Sequence, residues 1–191
     1  MHLCADCTRQ LPVYQGVFAA GLYTGSLKQA IQRFKYKAGV DLDRCLIQLL
    51  IPQLDNLPLD GQNLLVPVPL HPLGLRKRGY NQSLLLAKNL LSALRLRQKA
   101  AKLKRGLDLR LEPGILRRTK DGQHQQGLGA RQRALNLRDT IVATRQLQGE
   151  NLILVDDVMT TGATVSACAR ALLDAGAARV LVVVIARTPR F

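Results

Sequence analysis

Asp156 and Asp157 close the apolar run Leu152–Val155, and Thr160-Thr161-Gly162-Ala163-Thr164 begins two residues later and leads into a helical pattern. Small hydroxylated residues at a helix N-terminus offer backbone N–H groups and the positive end of the helix dipole, which together suit a phosphate. Two carboxylates repel a phosphate, so they call for hydroxyl groups or a cation on the same ligand. A sugar phosphate meets both demands. An ATP-binding loop fits less well, because no Gly-Lys-Ser/Thr follows and no lysine stands nearby in the sequence.

A second set of candidates lies in Val66 to Gln82, VPVPLHPLGLRKRGYNQ, where three prolines stiffen the chain ahead of Arg76, Lys77 and Arg78. Three cations on a stiff loop suit a diphosphate, with arginine favoured for forked contacts. His71 in the same segment reads equally as a proton-transfer group or as a structural residue. Further along, Arg95, Arg97, Lys99, Lys102, Lys104 and Arg105 form a basic run. Such a run lines one edge of a groove for a single nucleic-acid strand or is simply a solvated helix end. Cys4 and Cys7, two thiols in a Cys-x-x-Cys pair, could share a zinc, with His2 as a third ligand and no nearby residue as a fourth. A structural zinc takes four ligands, so the expectation is less than one zinc per chain.

The elements that must carry these residues follow from periodicity. Leu64–Val68, Thr140–Thr144, Asn151–Val155 and Val180–Ala186 read as strands, rich in branched residues and short. Val13–Tyr23 reads as an extended segment broken at Gly16 and Gly21, and Leu109–Leu116 as extended. Helices are expected after Ser26 as N-cap, over Leu42–Ile51 with Pro52 as its stop, over Asn81–Leu94, and over Ala163–Ala175, with Cys45 and Cys168 as small buried hydrophobes. Lys120–Gly129, rich in Gln and Gly, reads as a mobile loop able to act as a lid. Alternating strands and helices predict an α/β fold, a mostly parallel sheet with helices on both faces.

At 191 residues the chain has room for one α/β core and little more. With 28 Lys and Arg against 13 Asp and Glu, the net charge of +15 points toward phosphorylated or polyanionic partners. Half of those cations, fourteen, fall between Arg76 and Lys120. Aromatic residues make up only 4% and Trp is absent, so base-stacking platforms are sparse. The longest apolar run is a strand's length, well below the roughly twenty residues a membrane helix needs. With no signal-like leader and no cysteine framework, a cytoplasmic location is the expectation.

The stretch LILVDDVMTTGATV, residues 152–165, resembles the PRPP-binding signature of type I phosphoribosyltransferases. Together with Phe34-Lys35-Tyr36-Lys37, the Val66–Gln82 block, and Arg118-Thr119 followed by Gln125 or Gln126, Arg131, Arg133 and Asn136, the order of blocks resembles the ComF family. By that resemblance, residues 13–191 form a phosphoribosyltransferase-like domain with a small N-terminal β or hood region, and residues 1–12 are the remnant of a Cys-x-x-Cys zinc module. Asp156 and Asp157 would hold the ribose hydroxyls and act in catalysis, and Thr160, Thr161, Gly162, Ala163 and Thr164 would cradle the 5′-phosphate. Arg76, Lys77 and Arg78 would meet the pyrophosphate, with Mg²⁺ carried mainly by substrate oxygens and water. Thr160 stands where purine-salvage members often place an acid, which argues against a 6-oxopurine acceptor. The family's association with DNA uptake and natural competence implies single-stranded DNA and other competence proteins as partners. A non-catalytic DNA-binding factor that keeps the fold is the alternative to a Mg²⁺-dependent enzyme.

Overall fold

The computed structural model describes residues 11–36, 39, 41–100, 107–119 and 140–189. In chain order the elements are β1 (Gly16–Leu22), α1 (Gly25–Phe34), α2 (Leu42–Gln48), α3 (Ile51–Leu54), β2 (Gln62–Pro67), α4 (Pro72–Arg78), α5 (Gln82–Lys99) and β3 (Asp108–Leu111). They continue with β4 (Leu116–Arg118), β5 (Ile141–Ala143), β6 (Asn151–Met159), α6 (Ala163–Asp174) and β7 (Arg179–Arg187). Five strands form one parallel sheet in the order β1-β7-β6-β2-β3, while β4 and β5 make a separate antiparallel ribbon.

Alternation along the strands divides the core in two. Leu65, Ile153, Val155, Leu181, Val183 and Ile185 face a layer made by α1, α2, α3 and α5, with Leu86, Leu90 and Leu94 of α5 fully buried there. Leu64, Val66, Leu152, Leu154, Val180, Val182 and Val184 face α6 and the β4–β5 ribbon. Each fully buried Leu or Val adds about 1.5–3 kcal/mol relative to an exposed one. With both faces covered, the central strands have no position for an outward polar residue, which is why β6 and β7 read as near-continuous apolar runs.

The crossovers explain where the helices lie. The chain passes from β2 through α5 to β3 on one side, and from β6 through α6 to β7 on the other, so the two steps travel in opposite directions along the sheet. Connections of one hand then place α5 and α6 on opposite faces, as observed. The strand order reverses between β6 and β2. Ligand crevices in open α/β sheets form at that point, beyond the carboxyl ends of the strands.

Several local expectations are corrected. Val13–Tyr23 is extended as expected but is not broken at Gly16 or Gly21: Gly16–Leu22 is one strand, β1, at the edge of the main sheet, paired to β7 from Gly16↔Leu181 to Leu22↔Arg187. Its residues are apolar on both faces, with Phe18 and Ala20 toward one core layer and Val17 and Ala19 toward the other. Thr24, not Ser26, is the N-cap residue of α1. Pro52 does not stop a helix but sits in the first turn of α3, where its missing N–H costs nothing. Cys45 is exposed on α2, whereas Cys168 on α6 is buried as expected. No helix among the described residues is long and apolar enough to cross a membrane.

Candidate functional site

The site assembles at the switch point from the end of β6, the starts of α5 and α6, and the residues just after α1. β6 is longer than its apolar run suggests. It continues through both acids to Met159, with Asp156 opposite Val184 and Val158 opposite Ala186 on β7. The acids therefore lie within the strand, on alternate sides. Asp156 shares the face of Leu152 and Leu154, and Asp157 that of Ile153 and Val155.

Each carboxylate has a partner from another part of the chain. Asp156 Oδ1 accepts from Ser83 Oγ at 2.9 Å and from the backbone N–H of Asp157 at 2.9 Å. Asp157 Oδ1 lies 3.2 Å from Lys35 Nζ. Burial and then the neighbouring Asp157 charge push the Asp156 carboxyl up to about 7, against the opposing pull of the two hydrogen bonds and of Lys35. Cys168, on the same face, has its thiol raised well above the ordinary range by burial and then by Asp156, with Arg118 acting in the other direction. A thiol so placed is an inert packing group, not a nucleophile.

Ser83 is delivered by the start of α5. Asn81 is the N-cap residue, its Oδ1 accepting from Ser83 N at 3.0 Å, while its Nδ2 donates to Val68 O at 3.2 Å and so ties the helix start to the end of β2. Tyr80 and Gln82 reach the other way. The Tyr80 hydroxyl meets the carbonyls of Phe34 and, at 3.1 Å, Tyr36, and Gln82 Nε2 donates to Lys35 O at 3.4 Å. Burial raises the Tyr80 phenol, which keeps it a hydrogen donor.

The hydroxylated loop matches its expected place. Thr160 and Thr161 are exposed, and Gly162 takes φ 78° as the N-cap residue of α6, a left-handed conformation that a side chain would strain. Thr161 Oγ1 accepts from Ala163 N at 3.4 Å. The first-turn N–H groups of a helix have no partner within the helix itself, and in α6 that of Ala163 is met by Thr161 Oγ1.

Arg76, Lys77 and Arg78 are not on a loop. They form the last turn of the short helix α4, which His71 caps by accepting from Leu73 N through Nδ1 at 3.2 Å. Cations at a helix C-terminus offset its negative dipole end. Arg76 and Lys77 are exposed, while Arg78 donates to Gln82 Oε1 at 3.0 Å and so touches the network that leads to Lys35. His71 thus has a structural task at one ring nitrogen. Of the basic run, Arg95 donates to Leu109 O at 3.0 Å, Arg97 pairs with Asp55, and Lys99 is exposed. Lys102, Lys104 and Arg105, the Lys120–Gly129 loop, Gln125, Gln126, Arg131, Arg133, Asn136, Cys4 and Cys7 lie outside the described residues.

Two participants escaped the sequence reading. Ser83 carried no signal beyond following an N-cap residue. Lys35 carried a weak one, its place in Phe34-Lys35-Tyr36-Lys37, and the lysine missing near the loop in sequence is supplied in space.

The phosphoribosyl transferase domain family matches residues 81–190, which span α5 to β7. The chain is 30% identical to competence protein F of Haemophilus influenzae over 96% of its own length and 78% of that protein. It is likewise 30% identical to the DNA utilization protein YhgH of Escherichia coli K12, over 98% and 79% of the two chains. It is 27% identical to competence protein ComFC of Bacillus subtilis over 82% of this chain and 57% of that one. Among solved structures, a hypoxanthine phosphoribosyltransferase from Staphylococcus aureus superposes with a TM-score of 0.43 at 11% identity, covering 78% of this chain and 65% of that structure.

Proposed function

Because the chain belongs to the ComF/YhgH family of phosphoribosyltransferase-domain proteins, we propose that it binds PRPP in the crevice between β6 and β2. The reading takes residues 13–191 as the phosphoribosyltransferase-like domain and residues 1–12 as the remnant of a zinc module. The observation that supports it is the adjacency of two partnered carboxylates at the end of β6 to the Thr160–Thr164 turn at the start of α6. Asp156 and Asp157 accept from the ribose hydroxyls, and the turn receives the 5′-phosphate.

Among the described residues no group of three or more His, Cys, Asp or Glu is arranged for a metal. Mg²⁺ would arrive on substrate oxygens and water. When bound, it offsets charge on the pyrophosphate. In turnover a nitrogen nucleophile forms a bond to C1, the C1–O bond breaks, and its electron pair leaves with pyrophosphate. Asp156 and Asp157 stabilise the positive charge that develops on the ring. Arg78, linked to the crevice through Gln82, is the cation of its triplet best placed toward the leaving group.

A second reading rests on the charge distribution and on what the relatives are called. With fourteen cations between Arg76 and Lys120, the chain is a sequence-independent binder of single-stranded DNA in DNA uptake, with or without turnover of PRPP. Calorimetric titration of the full chain with Mg²⁺-PRPP, repeated with a short single strand present, tests both. Saturable PRPP binding supports the first reading, and no heat at any PRPP concentration refutes it.

A further inference from the structure

The crevice holds a cation that neither of its flanking loops contributes. Lys35 is the C-cap residue of α1, and its own N–H bonds back to Ile31 O and Gln32 O. The peptide groups on both sides of it are gripped by the segment leading into α5, through Tyr80 to the carbonyls of Phe34 and Tyr36 and through Gln82 to the carbonyl of Lys35 itself. Phe34 is fully buried, and its ring lies 6.2 Å from that of Tyr80. The backbone that launches the Lys35 side chain is therefore fixed, and its ammonium ends 3.2 Å from Asp157 Oδ1. An exposed lysine pair adds little, because two long side chains must be ordered in water. Here Asp157 is buried and belongs to a central strand, and only 25% of the lysine side chain remains exposed.

Two neighbouring carboxylates repel each other, and both are fixed on one strand, β6. Ser83 addresses Asp156 with a neutral hydroxyl, which does nothing to the net charge. Among the described residues, the charged and titratable groups around the pair include Lys35 beyond α1 and Cys168 on α6, with Arg118 on β4 acting on Cys168, while Arg78 and Tyr80 lie along the network that leads to Lys35. Lys35 forms an ion pair with an acid of the site, Asp157.

We propose that Lys35 is a positioning residue of the crevice, fixing Asp157 and offsetting the repulsion within the acidic pair so that both carboxylates can be presented to the hydroxyls of a phosphoribosyl ligand. This inference rests on the phosphoribosyl reading of the site. It assigns a task to the Phe-Lys-Tyr-Lys segment, which stands far from the acids in sequence. It also explains why Tyr80 and Gln82 spend their polar groups on backbone carbonyls on either side of a lysine.

The test compares wild type, Lys35→Arg and Lys35→Met as full chains, with thermal melting as the check on folding. Lys35→Gln replaces the methionine variant if that one does not fold. Carbon-13 NMR of labelled aspartate carboxyls follows Asp156 without any ligand. The neutral variant is expected to move the Asp156 titration upward, and Lys35→Arg to leave it near wild type. The acidic limb of Mg²⁺-PRPP binding, measured by calorimetry across pH, should move in the same direction in the neutral variant only. An Asp156 titration that does not move in a folded neutral variant overturns the inference while leaving PRPP binding by wild type intact. Wild type that binds no Mg²⁺-PRPP at any pH refutes the phosphoribosyl reading, and with it the role of Lys35 toward a ribose, even where the NMR shift is present.

Discussion

At the carboxyl end of β6, two acids meet a hydroxyl from α5 and an ammonium from beyond α1, each on a defined oxygen. At the other end of α5 the charges are basic and are handled differently. Arg97 pairs with Asp55, Arg95 donates to the Leu109 carbonyl near the start of β3, and Lys99 lies exposed. These two regions share one helix. From Ser83 to Arg97 the axis advances about 21 Å at 1.5 Å per residue, so the acids lie at the carboxyl ends of the strands and Arg95 and Arg97 toward their amino ends. The acidic end is organised around a few atoms, as a small ligand requires. The basic end spreads charge along a surface, as a backbone of phosphates requires. Their separation means that the two proposed activities can be removed one at a time.

The sharpest cut is Asp156→Asn with Asp157→Asn. Each ribose hydroxyl then loses a charged acceptor, so Mg²⁺-PRPP affinity should fall by roughly a hundredfold or more in calorimetry, while binding of single-stranded DNA is unchanged. Parallel loss of DNA binding would mean that the two regions are not independent. From the other side, Arg95→Gln with Lys99→Gln should flatten the salt dependence of single-stranded DNA affinity by about 0.7 in log–log slope for each phosphate that is no longer neutralised. PRPP affinity should hold. An unchanged slope removes this end of α5 from the DNA-binding surface. Arg97 is left in place because its loss would strand Asp55.

Smaller effects refine the acidic side. Ser83→Ala deletes a hydrogen bond to a carboxylate and should lower stability to urea by about 1.5–3 kcal/mol, with a several-fold loss of PRPP affinity. A stability change without any affinity change would make Ser83 a packing residue only. The pH dependence gives the subtlest reading. Asp156 holds its proton more tightly in the folded chain, since its pKa is raised to about 7. Its contribution to stability is therefore fully present below the ordinary carboxylate range and is lost as pH rises toward about 7. Asp156→Asn should flatten the decline in melting temperature across that interval, and an identical decline would show that other groups carry it.

What the sequence disclosed followed from local repetition. Leu152–Val155 bounded by Gly162 marked β6 and the start of α6, and Leu84, Leu85, Leu91 and Leu94 after Asn81 marked α5. These signals repeat within one element, so they survive without tertiary information. The seven residues of α4 show no such repeat, because Leu73 and Leu75 remain exposed and three prolines suggest a loop. In sequence the acids read as lying beyond the strand, because polarity there outweighs a continuation that only pairing with Val184 and Ala186 of β7 enforces. Lys35 and Ser83 were out of reach for a different reason. Their roles exist only once α1, α5 and β6 are packed, and no spacing along the chain encodes that meeting.

The pairing of β1 with β7 has a consequence for how the protein is made. During synthesis β1 leaves the ribosome early, but the strand it joins is the last one of the described sheet to emerge. Until then Gly16–Leu22 is an apolar strand with no neighbour, and the nascent chain has to keep it from pairing elsewhere. The rest of the sheet, β6-β2-β3, can form around α5 before that moment, whereas the final edge must wait for β7. Truncation within β7 should therefore release the N-terminal strand as well, so damage near one terminus would be seen as protease sensitivity near the other.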